Sequence, residues 1–209
     1  MDGVNGLYAL KPWYTARLDP VLRQLVLRRV PPAVLTAGGV GAAGAAGAAL
    51  ALMRPGLPTA LLVGALLAGR LACANLDGAV ARRTGRTTRR GAVANELGDR
   101  LADLLALAGA AALAPPALVL GAALAACAPS WVSLAGAAAG APRLQGGPVG
   151  KTERCALLVA VAATGWATPL LVVLGAGSLV TAGLRLVRLR AALGGEGSVR
   201  LWTTPGSAS

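Results

Sequence analysis

Six apolar stretches, each approaching the roughly 20 helical residues that span a hydrocarbon core of about 30 Å, follow one another between arginine-rich segments. Read from the Pro, Gly and Arg residues at their ends, they cover approximately 33–53, 58–82, 92–114, 117–140, 153–174 and 177–193. In lipid a backbone must satisfy its own polar groups, so such stretches cross as helices. The expected fold class is therefore all-α: an integral membrane bundle of six transmembrane helices. Composition agrees, with 56% hydrophobic residues, 13% charged residues and a mean hydropathy of +0.65, far too oily for an ordinary soluble domain.

The chain divides into three expected parts. Residues 1–31 read as an amphipathic juxtamembrane segment, because Trp13, Leu18, Val21, Leu22, Leu25 and Val26 alternate with Arg17, Arg23, Arg28 and Arg29 at helical spacing. It lacks the continuous apolar run of a signal peptide and is expected to be retained. Tyr8, Lys11 and Trp13 are expected to anchor it among lipid headgroups. Residues 32–194 form the bundle, and 195–209, rich in Gly, Ser, Thr and Pro, read as a disordered cytoplasmic tail.

A net charge of +12 would suggest nucleic acid in a soluble protein, but only 3% of residues are aromatic and the basic residues sit between apolar runs. They cluster before the first stretch, after the second (Arg82, Arg83, Arg86, Arg89, Arg90), after the fourth (Arg143, Lys151, Arg154) and around the end of the sixth (Arg185, Arg188, Arg190). The opposite turns hold only Arg54, so both termini are expected on the cytoplasmic side of the cell membrane, with no nucleic-acid partner. The series Gly41, Gly44, Gly47 suits close helix approach in a bundle or dimer, or simply reflects an Ala- and Gly-rich composition. Cys73, Cys127 and Cys155 lack metal or disulfide spacing and read as packing residues. With no histidine in the chain, imidazole acids, bases and metal ligands are excluded, leaving carboxylates, amides, hydroxyls and arginine for any chemistry.

Ionisable groups inside spans are costly and mark functional sites. Here they concentrate in two neighbouring stretches: Arg70, Asn75 and Asp77, then Asn95, Glu96, Asp99, Arg100 and Asp103. Asn95, Asp99 and Asp103 recur every four residues and share a helix face, while Arg70 and Asp77 lie two turns apart on the preceding helix. A short loop lets the two polar stripes meet near the cytoplasmic face. Oxygen donors without nitrogen or sulfur suit a hard cation, magnesium or manganese, bridged to substrate phosphates. Internal ion pairs of Arg100 with Glu96 or Asp99, holding the bundle together, are the structural alternative.

The run Asp77-Gly78-Ala79-Val80-Ala81-Arg82, followed after eight residues by Gly91, Asn95 and Asp99, resembles the signature of the CDP-alcohol phosphotransferase family, DxxDGxxAR, eight residues, then GxxxDxxxD. Two of its four acidic positions differ: Ala74 stands at the first and Asn95 at the third. The set NLDG with NExxDR is similar to a divergent bacterial subgroup. An amide oxygen still ligates magnesium but brings no negative charge, so one metal or two remains open. The resemblance implies Asp77 and Asp99 as metal ligands, with Asn95, Glu96 and Asp103 as further candidates. It implies Asp99 as the catalytic base, and Asp77, Gly78, Ala81, Arg82 and Gly91 against the nucleotide. Gly147-Pro148-Val149-Gly150-Lys151-Thr152-Glu153-Arg154 resembles that subgroup's GPMGKxxR stretch. Lys151 and Arg154, with Arg70, are accordingly candidates for donor or acceptor phosphates, although a topological charge cluster explains the same residues.

The activity so implied is transfer of a substituted phosphate from a CDP-linked donor, CDP-diacylglycerol above all, to an alcohol acceptor, with release of CMP in phospholipid biosynthesis. The implied partners are donor, acceptor and membrane lipids, and the implied assembly is a homodimer. A catalytically impaired relative serving as a nucleotide- or lipid-binding membrane module, or a small transporter, are the alternatives from other classes.

Overall fold

Proline and glycine punctuate the apolar stretches, and the helices begin and end at them. The structure, a computed structural model, describes residues 11–194, with side chains from Arg17 onward. The expected tail at 195–209 and the headgroup anchors Tyr8, Lys11 and Trp13 fall outside the described residues and side chains. All regular structure among the described residues is helical: α1 Lys11–Leu27, α2 Pro32–Leu52, α3 Leu57–Arg83, α4 Arg89–Ala108, α5 Pro116–Ala138, α6 Lys151–Thr164 and α7 Ala167–Gly194. A 3₁₀ turn, Gly109–Ala112, continues α4. Prolines at the first turns of α2, α3 and α5 cost nothing, since a first-turn N–H has no intrahelical partner.

Four helices, α2, α3, α5 and α7, are long and apolar enough to cross a membrane. The other two expected spans fall short for different reasons. The 20 residues of α4 include Arg89, Arg90, Glu96, Asp99, Arg100 and Asp103, and α6 has only 14 residues. The break expected near residues 175–176 lies instead at Gly165, which adopts a left-handed φ of 73° and ends α6, so α7 runs 28 residues. Gly175 and Gly177 are packing residues inside α7, the first against Ala122 and Ala125 of α5, the second under Val149. A mid-helix glycine thus signalled a close approach where the sequence suggested a break.

The outward faces are apolar: Leu57 and Leu61 on α3, Leu120 and Leu124 on α5, and Val172, Val173, Leu179 and Val180 on α7 are all exposed. In water such continuous surfaces would aggregate, whereas in lipid they are solvated. Length, composition and outward faces together make this a membrane protein. Its core is built from small side chains, Ala43, Ala46, Ala106, Ala110, Ala122 and Ala126, wedged by Leu50, Val63, Leu67 and Leu171.

Of the early glycine series, Gly47 is the one the fold needs. A Cβ there would overlap the carbonyl oxygen of Leu105, and a Cβ at Gly109 would overlap the carbonyl oxygen of Gly47, whereas one at Gly41 would meet nothing within 4 Å. Helices α2 and α4 thus touch backbone to backbone. Gly47→Ala is expected to destabilise the protein by roughly 1–3 kcal/mol through overpacking, measured as thermal unfolding in detergent. Gly41→Ala should stay within about 0.5 kcal/mol of the parent. Equal stabilities would overturn this assignment.

The first helix turns most of its apolar residues onto the bundle, while Val21 is exposed. Leu18, Leu22, Leu25 and Val26 pack on Leu35, Leu76 and Val80. Asp19 ties α1 to α3 through Arg83 at 2.7 Å and also pairs within α1 with Arg23 at 2.8 Å. These guanidiniums hold the Asp19 carboxyl below its ordinary range. The tie is therefore complete above the unfolded-state value near pH 4 and fades as pH falls through the lower folded-state value.

Candidate active site at the junction of the third and fourth helices

Thr88 starts α4 by accepting a hydrogen bond from the Gly91 N–H at 3.0 Å, which orients the helix that carries Asn95, Asp99 and Asp103. Across from it, α3 presents Arg70, Ala74 and Asp77. Asp77 is buried; its two oxygens accept from the Thr36 hydroxyl of α2 at 3.0 Å and from the Gly78 N–H at 2.5 Å. Together with Asn95 and Asp99, Asp77 lines a cavity of about 10 Å³, bordered also by Thr36, Gly39, Ala74 and Gly98. That is close to the space of one water molecule or one small ion.

Beside it opens a cleft of about 460 Å³. Ala74, Asn95 and Asp99 line both spaces and form the boundary between them. The cleft is closed on its far side by the connection between α5 and α6, and its charged lining is Arg100, Arg143, Lys151, Arg154 and Arg185 against Glu96, Asp99 and Glu153. Five cations face three anions, so the lining favours an anionic occupant. Arg185 fastens the connection by donating to the Gly146 and Pro129 carbonyls at 3.1 and 2.8 Å, while Ser133 donates to the Leu144 carbonyl at 2.9 Å. Gly147, at φ 131°, lies where a Cβ would overlap Thr181, so only glycine fits.

The acids divide between two roles. Asp103, 7% exposed, accepts from Arg70 at 2.5 Å and Arg154 at 2.8 Å, with Arg100 at 3.4 Å. One carboxylate thus gathers three arginines from α3, α4 and α6, and it does not line the ion-sized cavity. Asp99 faces both spaces and accepts from the Lys151 ammonium at 2.6 Å. Glu96 pairs with Arg143 and lies 3.6 Å from Arg100. The structural alternative is thus present for Glu96 with Arg100, but Asp99 pairs with Lys151 instead. Among the described residues no group of three or more Asp, Glu, Cys or His side chains converges as a metal cluster.

The remaining candidates are distributed unevenly. Lys151 and Arg154 line the cleft; Arg70, 2% exposed, borders the small cavity and donates to Asp103 and to the Asp99 carbonyl at 3.3 Å. Gly78, Ala81, Arg82 and Gly91 line neither space; Arg82 and Gly91 are exposed on the same end of the bundle. The sequence reading missed Thr36, whose hydroxyl holds Asp77. It read Arg143 and Arg185 only as topology. A threonine inside an apolar stretch and an arginine within the long apolar α7 were the available signals; Arg143, in the connection between α5 and α6, gave none.

No protein-family model matches the chain, and no curated protein does. Two solved structures of the phosphatidylinositol phosphate synthase of Mycobacterium tuberculosis do share its architecture. The one with CDP-DAG bound superposes with a TM-score of 0.66 at 23% identity, over 87% of this chain and 98% of that one. The one in complex with manganese and citrate gives 0.65 at 22% identity, over 86% and 92%. At these identities the likeness is one of fold, and the chain has the helical fold of that synthase.

Proposed function

We propose that this protein is a membrane-embedded CDP-alcohol phosphotransferase that moves the substituted phosphate of a CDP-linked lipid, CDP-diacylglycerol, onto an alcohol and releases CMP. The observation that carries the reading is the joining of an ion-sized space, bordered by Asp77, Asn95 and Asp99, to a wide cationic cleft at one end of an apolar bundle. The sequence signature at the same residues and the fold shared with a synthase solved with CDP-DAG support it.

The donor set fits a divalent cation. Two carboxylates and an amide, all hard oxygen donors, border a space of one ion's size, and the related fold has been solved with manganese. When bound, magnesium or manganese would neutralise charge building on the diphosphate oxygens. The chain supplies the rest. Asp99 faces both spaces, so its carboxylate is placed to take the acceptor hydroxyl proton as that oxygen bonds to phosphorus. The bond from phosphorus to the CMP oxygen breaks, and Lys151 and Arg154 hold the phosphate oxygens in line. Gly78, Ala81, Arg82 and Gly91 would receive the nucleotide on the surface beyond the cleft. In this reading the ends of the bundle that carry the arginines face the cytoplasm, the charged α4 and the short α6 complete a six-helix membrane domain shielded by the four long helices, and the chain works as a homodimer.

Release of labelled CMP from CDP-diacylglycerol by the purified protein tests the reading. Release is expected to require both an alcohol acceptor and magnesium or manganese, and to stop with a chelator. Absence of CMP under all acceptors, with the lipid still bound, would instead identify a binding module.

A further inference from the structure

We infer that the site takes a single divalent cation, with the Lys151 ammonium acting as a built-in second positive charge on Asp99. The inference rests on the phosphotransferase reading only for the presence of a cation. Its observations are geometric and electrostatic.

Lys151 starts α6 and reaches 52 residues back along the chain to place Nζ 2.6 Å from Asp99 Oδ2. One oxygen of the carboxylate that borders both spaces is therefore already engaged by a cation of the protein itself. At Asp77 both oxygens accept hydrogen bonds, from Thr36 and Gly78, leaving lone pairs for one further partner each. The positions that would add charge do not: Ala74 contributes a methyl group to the boundary and Asn95 a neutral amide. Asp103, the next acid on the same face of α4, is spent on Arg70, Arg154 and Arg100.

Charge balance then limits the occupancy. Asp77 and Asp99 together carry two negative charges, which one divalent ion offsets, and Lys151 already adds one positive charge. A second divalent ion would leave an excess of three positive charges beside the buried Arg70, whose own countercharge is shared with two other arginines. Size points the same way. Paired catalytic ions sit about 3.5–4 Å apart and a space of about 10 Å³ holds one, so a second would have to sit in the cleft that Asp99 also borders. Lys151 lines that cleft and already pairs with Asp99 there, and it can meet substrate phosphate with its remaining donors.

The test is a manganese titration of the purified chain in detergent, with the metal alone, read by the electron paramagnetic resonance of free Mn2+. One Mn2+ per chain is expected; two of comparable affinity, or none, would overturn the inference. Lys151→Met should bind that ion about tenfold or more tightly, because a repelling charge is removed and Asp99 is freed. Lys151→Arg, which keeps the charge, should stay within about twofold of the parent. Unchanged affinity in Lys151→Met would refute the role of the ammonium. Should that variant not fold, as judged by size-exclusion chromatography, Lys151→Gln and the parent stoichiometry decide. Because nothing here is read through turnover, two bound ions with CMP release would sink this inference and spare the function. One bound ion with no CMP release would do the reverse.

Discussion

Asp99→Asn is expected to lower CMP release by about 10²–10⁴-fold, the range that a positioned proton acceptor contributes, with the thermal unfolding midpoint nearly unchanged. The substitution preserves shape but turns one carboxylate oxygen into an amide donor and removes the charge that faces both the ion-sized cavity and the cleft. It also leaves Lys151 without its carboxylate, at a site open enough for the ammonium to reach water: Lys151 is 28% exposed. Asp77→Asn should be comparably inactive for a different reason. Asp77 is buried against Thr36 and Gly78, away from the cleft, so its charge serves the cation and not the acceptor. Turnover like the parent's in either variant, measured under saturating magnesium, would remove the corresponding role.

Asp103→Ala is the substitution expected to damage the fold most. Removing one partner of a buried ion pair costs roughly 3–5 kcal/mol because the other charge is left uncompensated, and here three arginines lose their common carboxylate at once. Loss of the folded protein, or a large fall in its unfolding midpoint in detergent, is the expected result. The double variant Arg70→Met, Asp103→Leu should recover part of that stability, since it replaces the shortest pair of the cluster by apolar volume. An Asp103→Ala protein as stable as the parent would mean that lipid headgroups or water already screen these charges.

How much of this was legible in advance depended on whether the physics was local. Four-residue recurrence put Asn95, Asp99 and Asp103 on one face of α4, and seven-residue spacing put Arg70 and Asp77 together on α3, both as found. Helical spacing likewise gave α1 its packed face through Leu18, Leu22, Leu25 and Val26. What local spacing cannot fix is the depth at which one helix crosses another. Asp99 and Asp103 are one turn apart and chemically identical. Yet the first meets Lys151 and open space, while the second is enclosed by Arg70, Arg100 and Arg154. That difference is set by α6, whose start lies 52 residues beyond Asp99. The misplaced break between α6 and α7 has a similar origin. Gly165 ends a helix and Gly175 and Gly177 pack within one, and only neighbours distant in sequence distinguish the two uses.

The contact of α2 with α4 through Gly47, Leu105 and Gly109 leaves no rotamer between the two main chains to absorb a displacement. Thr36, which orients Asp77, lies on the same rod as Gly47, about 16 Å away at 1.5 Å per residue, and Asp99 lies on the partner rod. A methyl group inserted at the quiet end of that pair would tilt one rod against the other and misalign the reacting atoms at the far end. Displacements near 1 Å there can cost about 10²-fold in rate. The molecule thus behaves as a clamp whose fulcrum is made of peptide planes, and its accuracy is set where no chemistry occurs.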